Sequence, residues 1–365
     1  MRKGWEYKRL DECANIEYGT RVVQKKDSGT LYPVYGGGGE TFRMDKFNRE
    51  DCLIVARFAM SRRCVRFVNG KFFLNDSGLS VKAGDKLYQS YLNYNIISLN
   101  DDIYHLGKGA AQRNLDVKSF KKLTIAIPPQ STQLAIVSEL DKINELIRLK
   151  KEQLKDFGNL AQSLFYEMFG DPVENEKGWE VKKIKDIATE KLSYGSGASA
   201  VPFNKSVRYI RITDINEYGE LKDEKVSPNI YDEKYLLAEG DILFARSGAT
   251  VGKTYLHKQN EIPCIYAGYL IRLRPNELLV LPNYVYYYTK SNYYKSFICA
   301  NQRVVAQPNI NAKQYGDLDI PLPPLSLQRL FAQRIEQIER EKSEVQKSIQ
   351  DLETLLASRM QYWFE

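Results

Sequence analysis

Gly4-Trp5-Glu6, followed by Lys8 and Leu10, returns as Gly178-Trp179-Glu180, followed by Lys182 and Ile184, so the chain copies its own opening at an offset of 174 residues. Glu50, Leu53, Ile54, Ala56 and Arg57 then align with Glu239, Ile242, Leu243, Ala245 and Arg246, where the offset has grown to 189. Gln112, Asn114, Lys118, Pro128, Pro129, Ser131 and Gln133 match Gln307, Asn309, Lys313, Pro323, Pro324, Ser326 and Gln328 at a constant 195. The growing offset places insertions inside the domain. After them the register holds through Leu160, Ser163 and Phe169 against Leu355, Ser358 and Phe364. A repeat this long, far beyond the roughly 20–50 residues of a solenoid unit, is a duplicated domain with its trailing segment. Two cores of about 150 residues fit a chain of 365. The interiors, residues 20–105 and 197–300, share little, so the two domains have one frame and should bind different things.

The double prolines favour an extended approach and cannot continue a helix, which makes Ser131 and Ser326 the expected N-caps of two long helices. Alternating three- and four-residue spacing places Leu140, Ile143, Ile147, Lys150, Leu154, Phe157, Ala161, Leu164 and Met168 on one seam. The same rule picks out Ile335, Ile338, Lys342, Val345, Ile349, Leu352, Leu356, Arg359 and Trp363. Each seam needs a partner helix. Two matched seams in one molecule favour an antiparallel intrachain coiled coil over pairing between molecules. A helix of about 39 residues at ~1.5 Å per residue is about 58 Å long, the length of roughly 17 base pairs at ~3.4 Å each.

Composition narrows the function. Hydrophobic residues at 43% and charged residues at 27% are ordinary for a globular chain, and no run approaches the ~18 apolar residues of a membrane span. Met1-Arg2-Lys3-Gly4-Trp5 has no apolar leader, so a cytoplasmic location is expected. Cys13, Cys52, Cys64, Cys264 and Cys299 are scattered without a C-x-x-C pair and read as buried small apolar residues. A net charge of +7 permits a polyanionic partner. Arg57, Arg62, Arg63 and Arg66 lie among Phe58, Met60, Val65 and Phe67, either as a contact surface or as a solvated basic face.

Catalytic signatures are scarce. Gly248-Ala249-Thr250-Val251-Gly252-Lys253-Thr254 resembles a phosphate-binding loop but has three residues between its glycines instead of four, and strand-like Thr254-Tyr255-Leu256 follows where a helix is needed. Gly36–Gly39 reads as a loop able to approach phosphate. His105 and His257 have no metal-ligand spacing. No Asn-Pro-Pro-Tyr or Asp-Pro-Pro-Tyr tetrapeptide is present.

The two Gly-Trp-Glu openings, the run Gly240-Asp241-Ile242-Leu243-Phe244-Ala245-Arg246-Ser247-Gly248 and the strands Ile125-Ala126-Ile127-Pro128-Pro129 and Ile320-Pro321-Leu322-Pro323-Pro324 before long helices resemble, across essentially the whole chain, the specificity subunit of Type I restriction-modification systems. The resemblance implies an α+β fold: two similar mixed α/β target-recognition domains separated by two long antiparallel helices forming a coiled coil. The expected boundaries are 1–130 for the first domain, 131–170 for the first helix, 171–325 for the second domain and 326–365 for the second helix. It also implies a non-catalytic chain that binds double-stranded DNA, reads one half-site with each domain, and recruits two modification (methyltransferase) subunits and restriction subunits. The helices' outer faces and the Pro-Pro junctions are the expected docking surfaces. No cofactor is expected in this chain; S-adenosylmethionine, ATP and magnesium belong to the partner subunits.

Arginine, lysine and amide side chains in loops are the expected contacts, because they pair with guanine, adenine and phosphate oxygens. Arg57, Arg62, Arg63, Gln112 and Arg113 are the candidates in the first domain, and Arg246, Ser247, Lys253, Gln302, Arg303 and Gln307 in the second. Arg57 and Arg246 match in the repeat and could instead brace each domain through a carboxylate. Tyr284, Tyr287 and Tyr288 fall on one helical face, which favours packing over base stacking. A coiled-coil scaffold with peptide-binding domains, and an enzyme with an unrecognised centre, are the competing classes.

Overall fold

The computed structural model describes residues 2–109, 112–302 and 309–365, with the backbone alone at Gln302. Met1–Lys151 and Lys347–Glu365 form one unit and Glu152–Gln346 the other. In the first unit the strands are β1 (Glu6–Arg9), β2 (Ala14–Tyr18), β3 (Tyr32–Tyr35), β4 (Glu40–Met44), β5 (Arg49–Ala56), β6 (Val65–Leu74), β7 (Gly78–Ala83), β8 (Gly107–Lys108), β9 (Asn114–Leu115) and β10 (Thr124–Ile127). In the second they are β11 (Glu180–Lys183), β12 (Ser193–Tyr194), β13 (Ala200–Pro202), β14 (Arg208–Ile210), β15 (Val226–Pro228), β16 (Ile242–Ala245), β17 (Thr254–Leu256), β18 (Cys264–Tyr266), β19 (Leu270–Leu273) and β20 (Asp319–Leu322).

The matched ends of each repeat close on one another. β1 pairs antiparallel with β10, Glu6 opposite Ile127, and β11 pairs antiparallel with β20, Glu180 opposite Leu322. Between these closures lies one shared sheet. Its order is β2-β7-β5-β6 in the first unit and β12-β19-β16-β17 in the second, and β3-β4 extends the first to six strands. Even the register agrees. Tyr18 opposes Leu79 as Tyr194 opposes Ile271, and Ile54 opposes Ser80 and Arg66 as Leu243 opposes Arg272 and Tyr255. Leu53–Ala56 and Ile242–Ala245 are uninterrupted buried runs, the pattern of a central strand covered on both faces. The repeat's unlike stretches are insertions at residues 19–48 and 195–237. The first carries β3 and β4; the second carries β13, β14 and β15, with β14 parallel to β18.

Two helices of 40 residues follow, Gln130–Phe169 and Leu325–Phe364. They begin one residue before the expected serine caps, because the carbonyls of Pro129 and Pro324 accept the first helical N–H groups, from Thr132 and Gln133 and from Leu327 and Gln328. Within the first unit the start of the first helix runs against the end of the second. Arg359 pairs with Glu139, Trp363 Nε1 donates to Glu139 Oε2 at 3.0 Å, and Lys151 meets Glu353 at 2.7 Å. Within the second unit the end of the first helix meets the start of the second, Phe165 and Phe169 lying 5.9 and 5.1 Å from Phe331. Every seam position named from sequence is buried or partly buried, Lys150, Lys342 and Arg359 included. The α+β class, the two mixed domains and the antiparallel intrachain helices stand as expected.

One buried glutamine ties each long helix to its domain. Gln133 Nε2 donates to the carbonyls of Lys86 and Pro128 at 2.9 Å, and its Oε1 accepts the Tyr88 N–H at 2.9 Å. Gln328 repeats this with Leu279, Pro323 and the Leu281 N–H at 3.5, 2.8 and 2.7 Å. Tyr91 and Tyr284 likewise donate to Ala126 and Pro321 carbonyls at 2.8 and 2.6 Å. Tyr284, Tyr287 and Tyr288 are buried, so the tyrosine-rich helix Pro282–Tyr288 packs inward. The cysteines differ from expectation. Cys64 and Cys264 are buried, but Cys13 and Cys52 are half-buried and Cys299 is exposed, on the outer face of the helix Asn292–Gln302. No helix among the described residues is long and apolar enough to cross a membrane.

Candidate nucleic-acid interface

Antiparallel pairing gathers the C-terminal ends of β2 and β5 and the starts of β6 and β7 at one end of the first sheet. Arg57 leaves β5 there and is fixed by its backbone. Its N–H donates to the Ser77 carbonyl at 2.8 Å and its carbonyl accepts the Leu115 N–H at 2.8 Å. Buried Met60 anchors the loop that follows, its N–H donating to the Arg113 carbonyl at 2.9 Å, while the Ala59 N–H reaches Asn114 Oδ1 at 3.3 Å. The segment around Gln112 and Arg113 is thereby zipped beside Arg57–Met60.

The structure therefore brings the five candidates of the first domain together. Arg113 lies 4.6 Å over the Tyr104 ring and donates to the Tyr104 carbonyl at 3.4 Å, and Arg62 reaches the same ring at 6.0 Å. Arg62, Arg63 and Gln112 are exposed; Arg57 and Arg113 are half-buried. Arg66 crosses behind them, Nη2 donating to the carbonyls of Arg63 and Gly37 at 3.0 and 3.1 Å. Burial, and then the neighbouring Arg63 charge, lowers its pKa from the usual arginine value. The Arg66 bond carries the tetraglycine turn to this same end, where a Cβ on Gly37 would stand 2.0 Å from the Phe58 carbonyl.

In the second domain Arg246 leaves β16 in the same way. Its N–H donates to the Tyr269 carbonyl at 3.1 Å and its carbonyl accepts the Ile310 N–H at 2.9 Å. Ser247 bridges to Asn309, whose Oδ1 accepts from Arg246 Nε at 3.2 Å. Gly248–Thr250 is a single 3-10 turn, Gly248 has φ +67°, and β17 follows, so the loop is not the strand-to-helix cradle of a nucleotide site. Lys253 is half-buried, its Nζ donating to the Ile215 carbonyl at 3.3 Å, apart from the Arg246–Ser247–Asn309 group. Gln302 ends the helix Asn292–Gln302, and Arg303 and Gln307 lie outside the described residues.

Arg57 and Arg246 find no carboxylate partner among the described residues; tyrosine rings take that place. Arg57 Cζ lies 5.2 Å from the Tyr18 ring centre and 4.4 Å from that of Phe58, and Arg246 Cζ lies 4.6 Å from that of Tyr194. Cation–π contacts of this kind contribute about 0.5–1 kcal/mol at exposed sites. Tyr18 and Tyr194 were not among the sequence candidates. A signal existed: each is followed by glycine, Tyr18-Gly19 and Tyr194-Gly195. Both glycines are forced by close approach, since a Cβ would stand 1.9 Å from the Asn75 carbonyl oxygen or 2.3 Å from that of Tyr266.

The histidines stand apart. His257 is buried, with Nδ1 3.2 Å from the Tyr255 hydroxyl and its pKa lowered by burial; His105 is exposed. Among the described residues no three His, Cys, Asp or Glu side chains converge as a metal site requires. What each sheet end offers is guanidinium donors, amides and partly exposed rings, the chemistry of phosphate and base-edge contact.

The type I restriction modification DNA specificity domain matches residues 2–156 and again 176–354, once per repeat. The Type I restriction enzyme MjaVIII specificity subunit of Methanocaldococcus jannaschii is 24% identical over 322 residues, 79% of this chain and 75% of that one. Among solved structures, the type I restriction-modification system S subunit from M. genitalium aligns over 98% of this chain and 95% of its own, with a TM-score of 0.56 and 18% identity. A chain from a study of complex assembly and conformational transition of the type I R-M system aligns over 100% and 98%, with a TM-score of 0.59 and 17% identity. With both repeats matched, the chain belongs to the type I restriction modification DNA specificity family and is a non-catalytic specificity subunit.

Proposed function

We propose that this chain reads a bipartite, asymmetric site in double-stranded DNA, one domain per half-site, and recruits the enzymatic subunits of a type I restriction-modification complex to it. One observation carries the reading: the same four-stranded sheet, in the same register, recurs with unlike insertions at residues 19–48 and 195–237. Equal frames suit equal positions on two half-sites, and unlike insertions suit unlike base sequences. On this reading the paired helices set the number of unread base pairs between the half-sites. Two copies of a modification subunit, an adenine methyltransferase using S-adenosylmethionine, dock at the two repeat-matched helix junctions. Restriction subunits bring the ATP- and magnesium-dependent steps, this chain holds no cofactor, and the complex works in the cytoplasm. Arg62, Arg63, Gln112 and Arg113 read the first half-site; Ser247, Gln302, Arg303 and Gln307 supply contacts to the second, while Lys253, turned toward the Ile215 carbonyl, does not.

Mapping methylated adenines across the genome of a strain that carries this chain with its modification subunit tests the reading. The expected motif is two short, different blocks around an unspecified run; one uninterrupted or palindromic motif overturns it. A peptide-binding scaffold would show duplex affinity indifferent to salt, whereas a phosphate reader loses affinity steeply.

A further inference from the structure

We propose that Arg57 and Arg246 are matched anchors for the DNA phosphate backbone, one per domain, each positioned by a tyrosine ring and distinct from the groups that read bases. The inference rests on the DNA reading above. Both arginines leave the central strand at the same point, and both are fixed through their own N–H and carbonyl groups. Both guanidinium groups lie on the ring of a Tyr-Gly pair, and those rings are 48% and 40% exposed.

Bracing arginines in this protein are made differently. Arg49, Arg211, Arg272 and Arg274 each engage a carboxylate, of Glu17, Asp214, Glu190 and Asp241, at 2.7–3.2 Å. Arg57 and Arg246 donate instead to neutral oxygens, the Asp76 carbonyl and Asn309 Oδ1, each at 3.2 Å. Among the described residues their charge is uncompensated. A guanidinium has five donors, so several N–H groups on each remain for an incoming anion. The choice between phosphate and base follows from the repeat. The Arg-on-Tyr pair is what the domains share where their insertions differ, and the feature two unlike half-sites share is the duplex backbone.

The test measures affinity of the full-length chain for a 40-base-pair random-sequence duplex as a function of salt. Each phosphate contact contributes about 0.9 to the slope of log affinity against log salt. Arg57→Gln and Arg246→Gln should each lower the slope by about 0.9 and the affinity at low salt about five- to tenfold, alike on duplexes of different sequence. Arg57→Lys and Arg246→Lys should keep the slope. Tyr18→Leu and Tyr194→Leu, at partly exposed rings, should keep the fold by thermal unfolding and weaken binding severalfold. An unchanged slope in the glutamine variants, or a loss confined to one sequence, overturns the anchors. Should the glutamine variants not fold, undiminished affinity in the leucine variants overturns them. If the wild-type chain itself shows no salt-dependent duplex binding, the DNA reading fails, which separates the two failures.

Discussion

The two domains agree in their central sheet and in the way they hold their own helices, and differ in the insertions between the shared strands. Both close with the same strand pair, and both hold the helix start with a buried glutamine and a tyrosine hydroxyl. Yet the packing under that junction is not the same. In the second unit it is a ring cluster, Phe165, Phe169, Tyr284 and Phe331, with centroids 4.7–5.9 Å apart. In the first, Ile136, Met360 and Phe364 occupy the positions of Phe331, Phe165 and Phe169 beside Tyr91. Hydrogen-bond geometry is thus held constant across the duplication while side-chain volume drifts, as expected when buried polar groups must be matched one by one but apolar cores need only be filled.

The sharpest way to break this comparison is truncation at the junction. Phe331→Ala should cost about 3–5 kcal/mol and Ile136→Ala about 2–4 kcal/mol, read by denaturant unfolding of the full chain. Equal or inverted losses would show that the ring cluster adds nothing over aliphatic packing. Next, Gln133→Ala and Gln328→Ala should each cost about 2–3 kcal/mol, because each leaves one N–H and two carbonyls without the glutamine that pairs them. A twofold difference between them would end the claim of equivalent frames.

Two pH effects should then distinguish the units. Burial lowers the Lys290 ammonium to about 8, against the pull of Glu220, at a place where the first domain has Ile97. Its folded value lies below the ordinary 10.5, so the unfolded chain binds more protons between them and stability should rise from about pH 8 toward pH 10.5. Lys290→Met should flatten that rise. The smallest effect belongs to Glu139, held below the ordinary carboxylate value by Arg359 and Trp363, where the second repeat has Arg334. Its stabilisation is present above pH 4.5 and fades as pH falls below it. Glu139→Gln should remove that acid sensitivity from the helix pair.

Much of this frame was legible because its parts repeat. The Gly-Trp-Glu openings and the Pro-Pro strands stand at the ends of each copy, and those ends pair with each other. The seam was legible because apolar spacing of three and four survives beside Lys150, Lys342 and Arg359. The Arg-on-Tyr pairs were not, since Tyr18-Gly19 and Tyr194-Gly195 are two-residue matches in diverging sequence, and what forces their glycines is a carbonyl distant in the chain. Nor was the inward turn of Lys253, which depends on the Ile215 carbonyl, or the helix start one residue early, which depends on a proline carbonyl that composition cannot rank against a serine cap.

The closure of each domain by its first and last strands also sets an order of events during synthesis. β1 leaves the ribosome early and waits for β10, more than a hundred residues later, a non-local pairing that slows folding. The wait is longer still for the first unit, whose core includes Leu356, Met360, Trp363 and Phe364 from the far end of the chain. The domain translated first is therefore the last to be completed, and until then its uncovered apolar face is the one that nascent-chain chaperones would meet.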